Sequence, residues 1–119
     1  MDPHNLFEND HQVPVSLDQL MNINAPSMYL VRIDGDSMEG AGIFNDDLIV
    51  VDRSIEARSG HIVVAAINGE PMCKRLVKTQ HDVILASENK RYPSRYLQPG
   101  DDFMIWGVVT YSVRSHGLD

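Results

Sequence analysis

The residues best suited to chemistry are a serine in a glycine-bearing turn and a lysine on a predicted strand. Ser37 lies in the stretch IDGDSMEGAGI, residues 33–43, where short polar residues and glycines favour a tight turn with exposed backbone N–H groups. Acyl transfer uses such turns, because backbone donors can stabilise the oxyanion that forms beside a nucleophilic hydroxyl. The same pattern is typical of an ordinary turn, so the serine indicates catalysis only if a base can reach it.

No histidine is well placed to be that base, because none lies in a catalytic or metal-binding spacing. Lys74 lies in the stretch PMCKRLV, residues 71–77, between apolar neighbours on its own face. Desolvation there would lower the lysine pKa from its usual value of about 10.4 and leave a neutral amine, which is a base. Such a lysine replaces histidine in Ser-Lys pairs. The alternative is that Lys74 extends its ammonium to water or pairs with a carboxylate.

The rest of the sequence predicts a β fold that would position these two residues. Several stretches rich in β-branched and aromatic residues are separated by turn signals. They are MYLVRI (28–33), LIVVD (48–52), HIVVAAI (61–67), PMCKRLV (71–77), DVILAS (82–87) and FMIWGVVTYSV (103–113). The short intervals favour an antiparallel meander and leave little room for crossover helices. We therefore predict a mainly β fold of antiparallel strands with one short N-terminal helix.

The firmest local prediction is the β-hairpin that carries the lysine. Asn68-Gly69 readily takes the positive φ angles of a type I′ turn, so it should join the strand at 62–67 to the strand at 72–77. Side chains alternate along the second strand, which places Lys74 among apolar neighbours on one face.

The N-terminal region divides into an arm and a helix. Residues 1–15 show little periodicity and indicate an extended or mobile arm. Ser16 and Gln19 form an S-x-x-Q capping box, which predicts a short helix that ends before Pro26. The predicted organisation is therefore the arm, 1–15, followed by one β domain over 16–119.

Composition narrows the function classes. The 119 residues form one core, and ten Lys plus Arg against seventeen Asp plus Glu give a formal charge of -7. We therefore expect no sequence-independent attraction of this chain to DNA phosphates. The single Cys73 excludes an internal disulfide and suits a reducing compartment. Neither a signal peptide nor a membrane anchor is indicated, so we expect a cytoplasmic protein.

In combination, four stretches resemble the LexA/UmuD family of Ser-Lys self-cleaving proteins, peptidase family S24. These stretches are GDSM (35–38), GIFNDDLIVVD (42–52), SGHIVVAAINGE (59–70) and CKRL (73–76). Ser37 and Lys74 are 37 residues apart, which is the separation expected for the catalytic pair of UmuD. The ending FMIWGVVTYSVRS is similar to the closing strand of the family, and the resemblance extends from about residue 16 to the end.

The resemblance implies that Ser37 is the nucleophile and Lys74 its general base, with the backbone N–H groups of Ser37 and Met38 as oxyanion donors. It implies no metal or cofactor. Members of this family share a largely β fold and form homodimers, and a RecA filament on single-stranded DNA stimulates their self-cleavage near the N-terminus. The trimmed product UmuD′ joins a Y-family polymerase, UmuC, in the translesion polymerase V of SOS mutagenesis. The closest resemblance is to this processed form, which implies an accessory subunit with those partners.

Two departures from the family pattern bear on this expectation. No helix-turn-helix precedes the β domain, and an acidic chain is poorly suited to operator binding. The Ala-Gly or Cys-Gly pair at which the family cleaves is absent upstream of Ser37, and the only Ala-Gly is Ala41-Gly42 in the turn itself. The chain starts about where UmuD′ starts, so we expect a processed form or a homologue encoded short. Two alternatives remain, an active Ser-Lys endopeptidase that cleaves a family member in trans and a C-terminal fragment of a phage repressor.

Three further features receive structural interpretations. Asp46-Asp47 precedes a strand and is typical of a turn rather than of a metal site. Arg91 and Arg95 flank Tyr92-Pro93 in what we interpret as a solvated loop without an assigned role. Trp106 is predicted to lie in the core or in a dimer interface.

Overall fold

The computed structural model describes residues 16–117, so the arm predicted over residues 1–15 lies outside the described residues. The described residues form one antiparallel sheet of seven strands. Its strands are β1 (Met28–Arg32), β2 (Leu48–Asp52), β3 (Ile62–Ile67), β4 (Glu70–Lys78), β5 (Val83–Ala86), β6 (Arg95–Tyr96) and β7 (Phe103–Val113). The mainly β class and all the predicted strands are confirmed. Strand β6 was not predicted, because two residues are too few to show an alternating pattern.

The helix α1 (Leu17–Met21) forms where the capping box predicts it. Ser16 Oγ accepts a hydrogen bond from the backbone N–H of Gln19 at 3.1 Å, and Gln19 Oε1 accepts one from the N–H of Ser16 at 3.3 Å. These bonds satisfy two donors that the first turn would otherwise leave free. Asn22 then ends the helix with φ 55°, a left-handed conformation that asparagine tolerates. Within residues 16–117, no helix has both the length and the apolar character needed to cross a membrane.

The predicted hairpin between β3 and β4 is confirmed. Asn68 has φ 53° and Gly69 has φ 80°, as a two-residue type I′ turn requires. The turn fixes the register of the two strands, and Lys74 consequently lies opposite Val63. Because this register is set locally, the position of the lysine on the sheet follows directly from the Asn-Gly pair.

The order of the strands in the sheet is β1-β2-β7-β3-β4-β5-β6, which corrects the prediction of a simple meander. Strands β3 to β6 do follow one another as a meander, but β7 lies between β2 and β3 and pairs with both. Its eleven residues allow it to span both neighbours, with an irregular register on each side. Pairing between strands so distant in sequence depends on the closed tertiary structure, which local turn signals do not report.

Two hydrophobic clusters lie on the two faces of the sheet, because successive residues of β3 point to opposite sides. The buried residues of the first cluster are Val63, Ala65, Ile67, Leu76, Leu85 and Val108. Those of the second are Met38, Ile43, Ile49, Val51 and Val64. The second cluster draws two of its members from the segment that connects β1 to β2, so this segment packs onto the sheet. That packing places Met38, which directly follows Ser37, in the second cluster.

Candidate active site

The Ser37 turn is held in place by buried and hydrogen-bonded neighbours on both sides. Met38 is 2% exposed in the second cluster, so the residue after the serine anchors the turn to the core. Gly35 has φ 109°, a value that favours glycine, and its N–H donates to Asn45 Oδ1 at 2.8 Å. A 3-10 turn, Glu39–Ala41, follows. The serine is therefore presented by a fixed turn, as its flanking glycines and polar residues predicted.

Lys74 reaches this turn from β4. Its Nζ donates a hydrogen bond to Ser37 Oγ at 2.6 Å, and the contact is partly buried. The structure thus brings together the two side chains that the sequence singled out, although 37 residues separate them. A lysine nitrogen at this distance can exchange a proton with the hydroxyl.

Burial changes the acidity of the two side chains that follow each other on this strand. Desolvation lowers the pKa of Lys74, and the neighbouring Cys73 opposes this effect. Desolvation raises the pKa of Cys73 to about 11, and Lys74 opposes that shift. The amine is therefore neutral more readily than an exposed lysine, while the thiol stays protonated near neutral pH. A neutral Lys74 can accept a proton from the Ser37 hydroxyl, to which it is hydrogen-bonded.

The backbone N–H groups of Ser37 and Met38, predicted as oxyanion donors, differ in their hydrogen bonds from the later N–H groups of the turn. Within residues 16–117, neither group donates a hydrogen bond to a protein acceptor, whereas the next donors along the turn are engaged. The N–H of Gly40 donates to the carbonyl of Glu88 at 2.7 Å, and that of Ala41 donates to the carbonyl of Met38 at 3.0 Å. Two unengaged donors beside a hydroxyl match the requirement for stabilising a tetrahedral intermediate.

A cleft of about 440 Å³ opens beside the serine and the lysine. Side chains of β1 and β4 form its walls together with the turn, and most of them are apolar. The lining residues are Val31, Arg32, Ile33, Asp34, Ser37, Met38, Val64, Pro71, Met72, Cys73 and Lys74. A cleft of this size can hold a few residues of an extended peptide.

A second, larger groove of about 590 Å³ lies elsewhere on the sheet, with Tyr29, Arg53, Met104, Ile105 and Trp106 in its lining. Within residues 16–117, its lining includes no serine or lysine, whereas the lining of the smaller cleft includes Ser37 and Lys74. Trp106 is 39% exposed, so its predicted placement in the core of this chain is wrong. The alternative prediction, a dimer interface, stays a prediction.

Sequence reasoning missed a group of side chains around Asp36, the residue before the serine. Tyr92 donates its hydroxyl hydrogen to the carboxylate of Asp36, Arg91 forms an ion pair with the same carboxylate, and Asn89 Nδ2 donates to the Asp36 carbonyl at 2.9 Å. The hydrogen bond from Tyr92 and the charge of Arg91 hold the pKa of Asp36 below its ordinary value. The loop interpreted as solvated therefore contacts the serine turn. No local signal predicts this, because Tyr92 and Asp36 are 56 residues apart.

The turn prediction for Asp46-Asp47 was incomplete. Asp46 is exposed with φ 70°, as in a turn, but Asp47 is fully buried. Arg114 donates to both oxygens of Asp47, through Nε at 2.8 Å and Nη2 at 3.0 Å. These hydrogen bonds hold the pKa of Asp47 below its ordinary value. Across residues 16–117 there is no cluster of three or more His, Cys, Asp or Glu side chains that could hold a metal ion.

Comparison with known proteins agrees with this arrangement. A model of the Peptidase S24-like family matches residues 4–110. Protein MucA of Salmonella typhimurium and protein MucA of Escherichia coli are each 42% identical to this chain over 89 residues. The LexA repressor of Bordetella avium is 36% identical over 104 residues.

These matches cover 74% of the chain for MucA and 87% for the LexA repressor. They cover only 60% of each MucA protein and 48% of the LexA repressor, so the chain spans about half of the length of these relatives. Because the family match extends over most of the sequence and places Ser37 and Lys74 within it, the chain belongs to the Peptidase S24-like family.

Proposed function

We propose that Ser37 and Lys74 form the catalytic pair of a serine peptidase, and that the chain serves as a UmuD′-like accessory subunit of an error-prone translesion DNA polymerase. The observation that carries the chemical part is the 2.6 Å hydrogen bond between Lys74 Nζ and Ser37 Oγ. Membership of the S24 family and the 42% identity to MucA support the biological part.

The reaction assigned to this pair is acyl transfer. Neutral Lys74 accepts the hydroxyl proton of Ser37 while Oγ forms a bond to the carbonyl carbon of a peptide. The carbonyl oxygen becomes an oxyanion, which the N–H groups of Ser37 and Met38 stabilise. Lys74 then gives its proton to the leaving amine as the C–N bond breaks, and water hydrolyses the acyl-serine with Lys74 again as base.

The accessory role rests on binding rather than on this reaction. The proposed partners are a second copy of the chain, a UmuC-like Y-family polymerase and a RecA filament on single-stranded DNA, all in the cytoplasm. A formal charge of -7 supports recruitment to DNA through such partners, because the chain itself repels phosphates. An active peptidase that cleaves a relative in trans is a second candidate, favoured by the hydrogen-bonded pair and the open cleft beside it. The match to the LexA repressor of Bordetella avium over 87% of the chain favours a third candidate, a C-terminal fragment of a phage repressor.

The catalytic pair is tested by the reaction of the purified protein with a fluorophosphonate, which forms a bond from Ser37 Oγ to phosphorus and releases fluoride. We expect Ser37→Ala to abolish labelling and Lys74→Ala to slow it by about 100-fold or more. The rate should rise with pH as Lys74 loses its proton, with a midpoint below the ordinary lysine value because burial lowers the pKa. Equal labelling of Lys74→Ala and the unsubstituted protein would reject the pair.

The accessory role is tested by capture of a UmuC-like polymerase at moderate salt. The unsubstituted protein, Ser37→Ala and Lys74→Ala should all retain the polymerase, because binding does not use the chemistry. If none of them retains it, incubation with a full-length MucA or LexA whose own serine is replaced by alanine distinguishes the other candidates. Cleavage of that substrate that depends on Ser37 would favour a trans-acting peptidase, and the absence of cleavage would favour a C-terminal fragment of a phage repressor.

A further inference from the structure

Glu88 makes two backbone hydrogen bonds to the serine turn. It lies in the loop after β5, where its N–H donates to the carbonyl of Ser37 at 2.9 Å and its carbonyl accepts from the N–H of Gly40 at 2.7 Å. The approach is so close that a Cβ added to Gly40 would collide with the Glu88 carbonyl oxygen. The turn and this loop therefore hold each other at a fixed separation.

The side chain of Glu88 extends in a different direction, to the strand that carries the lysine. Its Oε1 forms an ion pair with Arg75 Nε, and Arg75 directly follows Lys74 on β4. Arg75 Nη1 in turn donates to the carbonyl of Gly60 at 2.6 Å. The two side chains are 33% and 31% exposed, so the pair is partly shielded from solvent. Each partner also has its orientation limited by these further contacts, which favours one geometry.

We infer that Glu88 is a positioning residue for the serine and lysine pair, because it links the Ser37 turn to the strand that bears Lys74. This inference rests on the proposed function. A proton moves between Lys74 Nζ and Ser37 Oγ only while the two atoms stay within hydrogen-bond distance, so the turn and the strand must keep one separation. Glu88 fixes that separation with two backbone bonds at one end and an ion pair at the other.

The contacts around Asp36 differ from this link in a way that matters for the test. Tyr92 and Arg91 bind the carboxylate of Asp36 and so hold the serine turn, but they make no hydrogen bond or ion pair to β4. Removing them would loosen one partner of the catalytic pair. Removing the Glu88 side chain would instead weaken the connection between the two partners, which the backbone bonds of Glu88 and the β4–β5 ladder would still maintain in part.

The experiment measures the rate of fluorophosphonate labelling of Ser37 for Glu88→Ala, Glu88→Gln and Arg75→Ala, each with and without Lys74→Ala. We expect Glu88→Ala and Arg75→Ala each to slow labelling by about tenfold, which is less than complete loss because the backbone bonds remain. Glu88→Gln should recover part of the rate, since the amide oxygen still accepts from Arg75. The decisive value is the factor by which Lys74→Ala slows labelling. This factor should be several-fold smaller in Glu88→Ala than in the protein with Glu88 intact.

The matched control is Asp101→Asn, which breaks the ion pair of Asp101 with Arg95 away from the cleft. Its labelling rate and its dependence on Lys74 should match those of the unsubstituted protein, even if its melting temperature falls. A purely structural role for Glu88 would lower the folded fraction but leave the effect of Lys74→Ala unchanged in the folded protein, and that result would overturn the inference. If Lys74→Ala has no effect in the unsubstituted protein either, the proposed catalytic pair itself fails.

Discussion

Lys74 Nζ and Ser37 Oγ lie 2.6 Å apart, with the lysine on a central part of the sheet and the serine in a turn packed against it. The lysine reaches this distance only by leaving bulk water, and desolvation is the main reason for its lowered pKa. An amine that is held partly out of water for chemistry lowers the stability of the folded protein, and this loss of stability can be measured.

The first prediction concerns that cost. Lys74→Met replaces the amine with an apolar chain of similar length, and we expect the melting temperature at pH 7 to rise by about 3 °C despite the lost bond to Ser37. The pKa of Lys74 is lower in the folded protein than in the unfolded chain, so between these two pKa values the unfolded chain binds more protons. The loss of stability caused by burying Lys74 therefore becomes smaller as the pH rises from the folded-state pKa to the unfolded-state pKa. The gain from Lys74→Met should therefore shrink towards pH 10. Calorimetry across this range measures it, and a gain that is constant with pH would contradict the explanation.

The second prediction concerns the buried carboxylate of Asp47. Asp47→Asn removes its charge beside Arg114, and we expect the free energy of unfolding at pH 7 to fall by about 1–3 kcal/mol. The folded-state pKa of Asp47 is lowered, so its contribution is present above the unfolded pKa and is lost as pH falls through the folded pKa. The difference in the free energy of unfolding between the unsubstituted protein and Asp47→Asn, measured by urea denaturation, should therefore narrow towards pH 3. Asp46→Asn is the matched control, because Asp46 is exposed and asparagine tolerates its positive φ. An equal loss in both variants would argue against the role of burial.

The third prediction concerns the hydroxyl of Tyr92. Tyr92→Phe removes the hydrogen bond that contributes most to the lowered pKa of Asp36, so the pKa of Asp36 should rise towards its ordinary value. Titration of the Asp36 carboxyl carbon by NMR measures the change. Tyr96→Phe removes a phenol from β6 and should leave the Asp36 titration in place. An unchanged midpoint in Tyr92→Phe would show that the contact does not persist in solution.

The fourth prediction concerns the close approach at Gly40. Gly40→Ala adds a Cβ against the Glu88 carbonyl oxygen, and we expect it to cost about 1–3 kcal/mol of stability and to displace the turn. Serine labelling should fall by at least about tenfold, because small misplacements of reacting groups slow reactions strongly. Gly100→Ala is the control, since the φ of 90° at Gly100 disfavours alanine and Gly100 is not among the residues that line the cleft. It should destabilise the protein while the folded fraction labels normally, and a parallel loss of labelling would count against the specific role of Gly40.

Local chemistry in the sequence was enough to predict much of this structure. Asn68-Gly69 specifies its own turn, and the register of the hairpin with Lys74 follows from it. The capping box at Ser16 likewise specifies the start of the helix. The pairing of Ser37 with Lys74 was predicted from residue types, spacing and family resemblance, and the geometry agrees with that prediction. Each of these signals lies within a few residues or within a known pattern.

The features that the sequence did not predict depend on residues that are far apart. Asp47 can be buried because Arg114, 67 residues later, neutralises its charge. No residue close to Asp47 in the sequence indicates that partner. The contact of Tyr92 with Asp36 spans 56 residues in the same way. The central place of β7 belongs to this class, since it follows from pairing with both β2 and β3 rather than from any turn. Such contacts form only when the tertiary structure closes.

The insertion of β7 between β2 and β3 has a consequence for synthesis on the ribosome. Among the described residues, the β1–β2 hairpin and the meander from β3 to β6 share no ladder until β7 joins them. The nascent chain can form each part early, but both keep an open edge until residue 113 has emerged. Assembly of the sheet is therefore completed only after β7 has left the ribosome, and a ribosome that stalls before β7 would hold two separate pieces with unpaired edges.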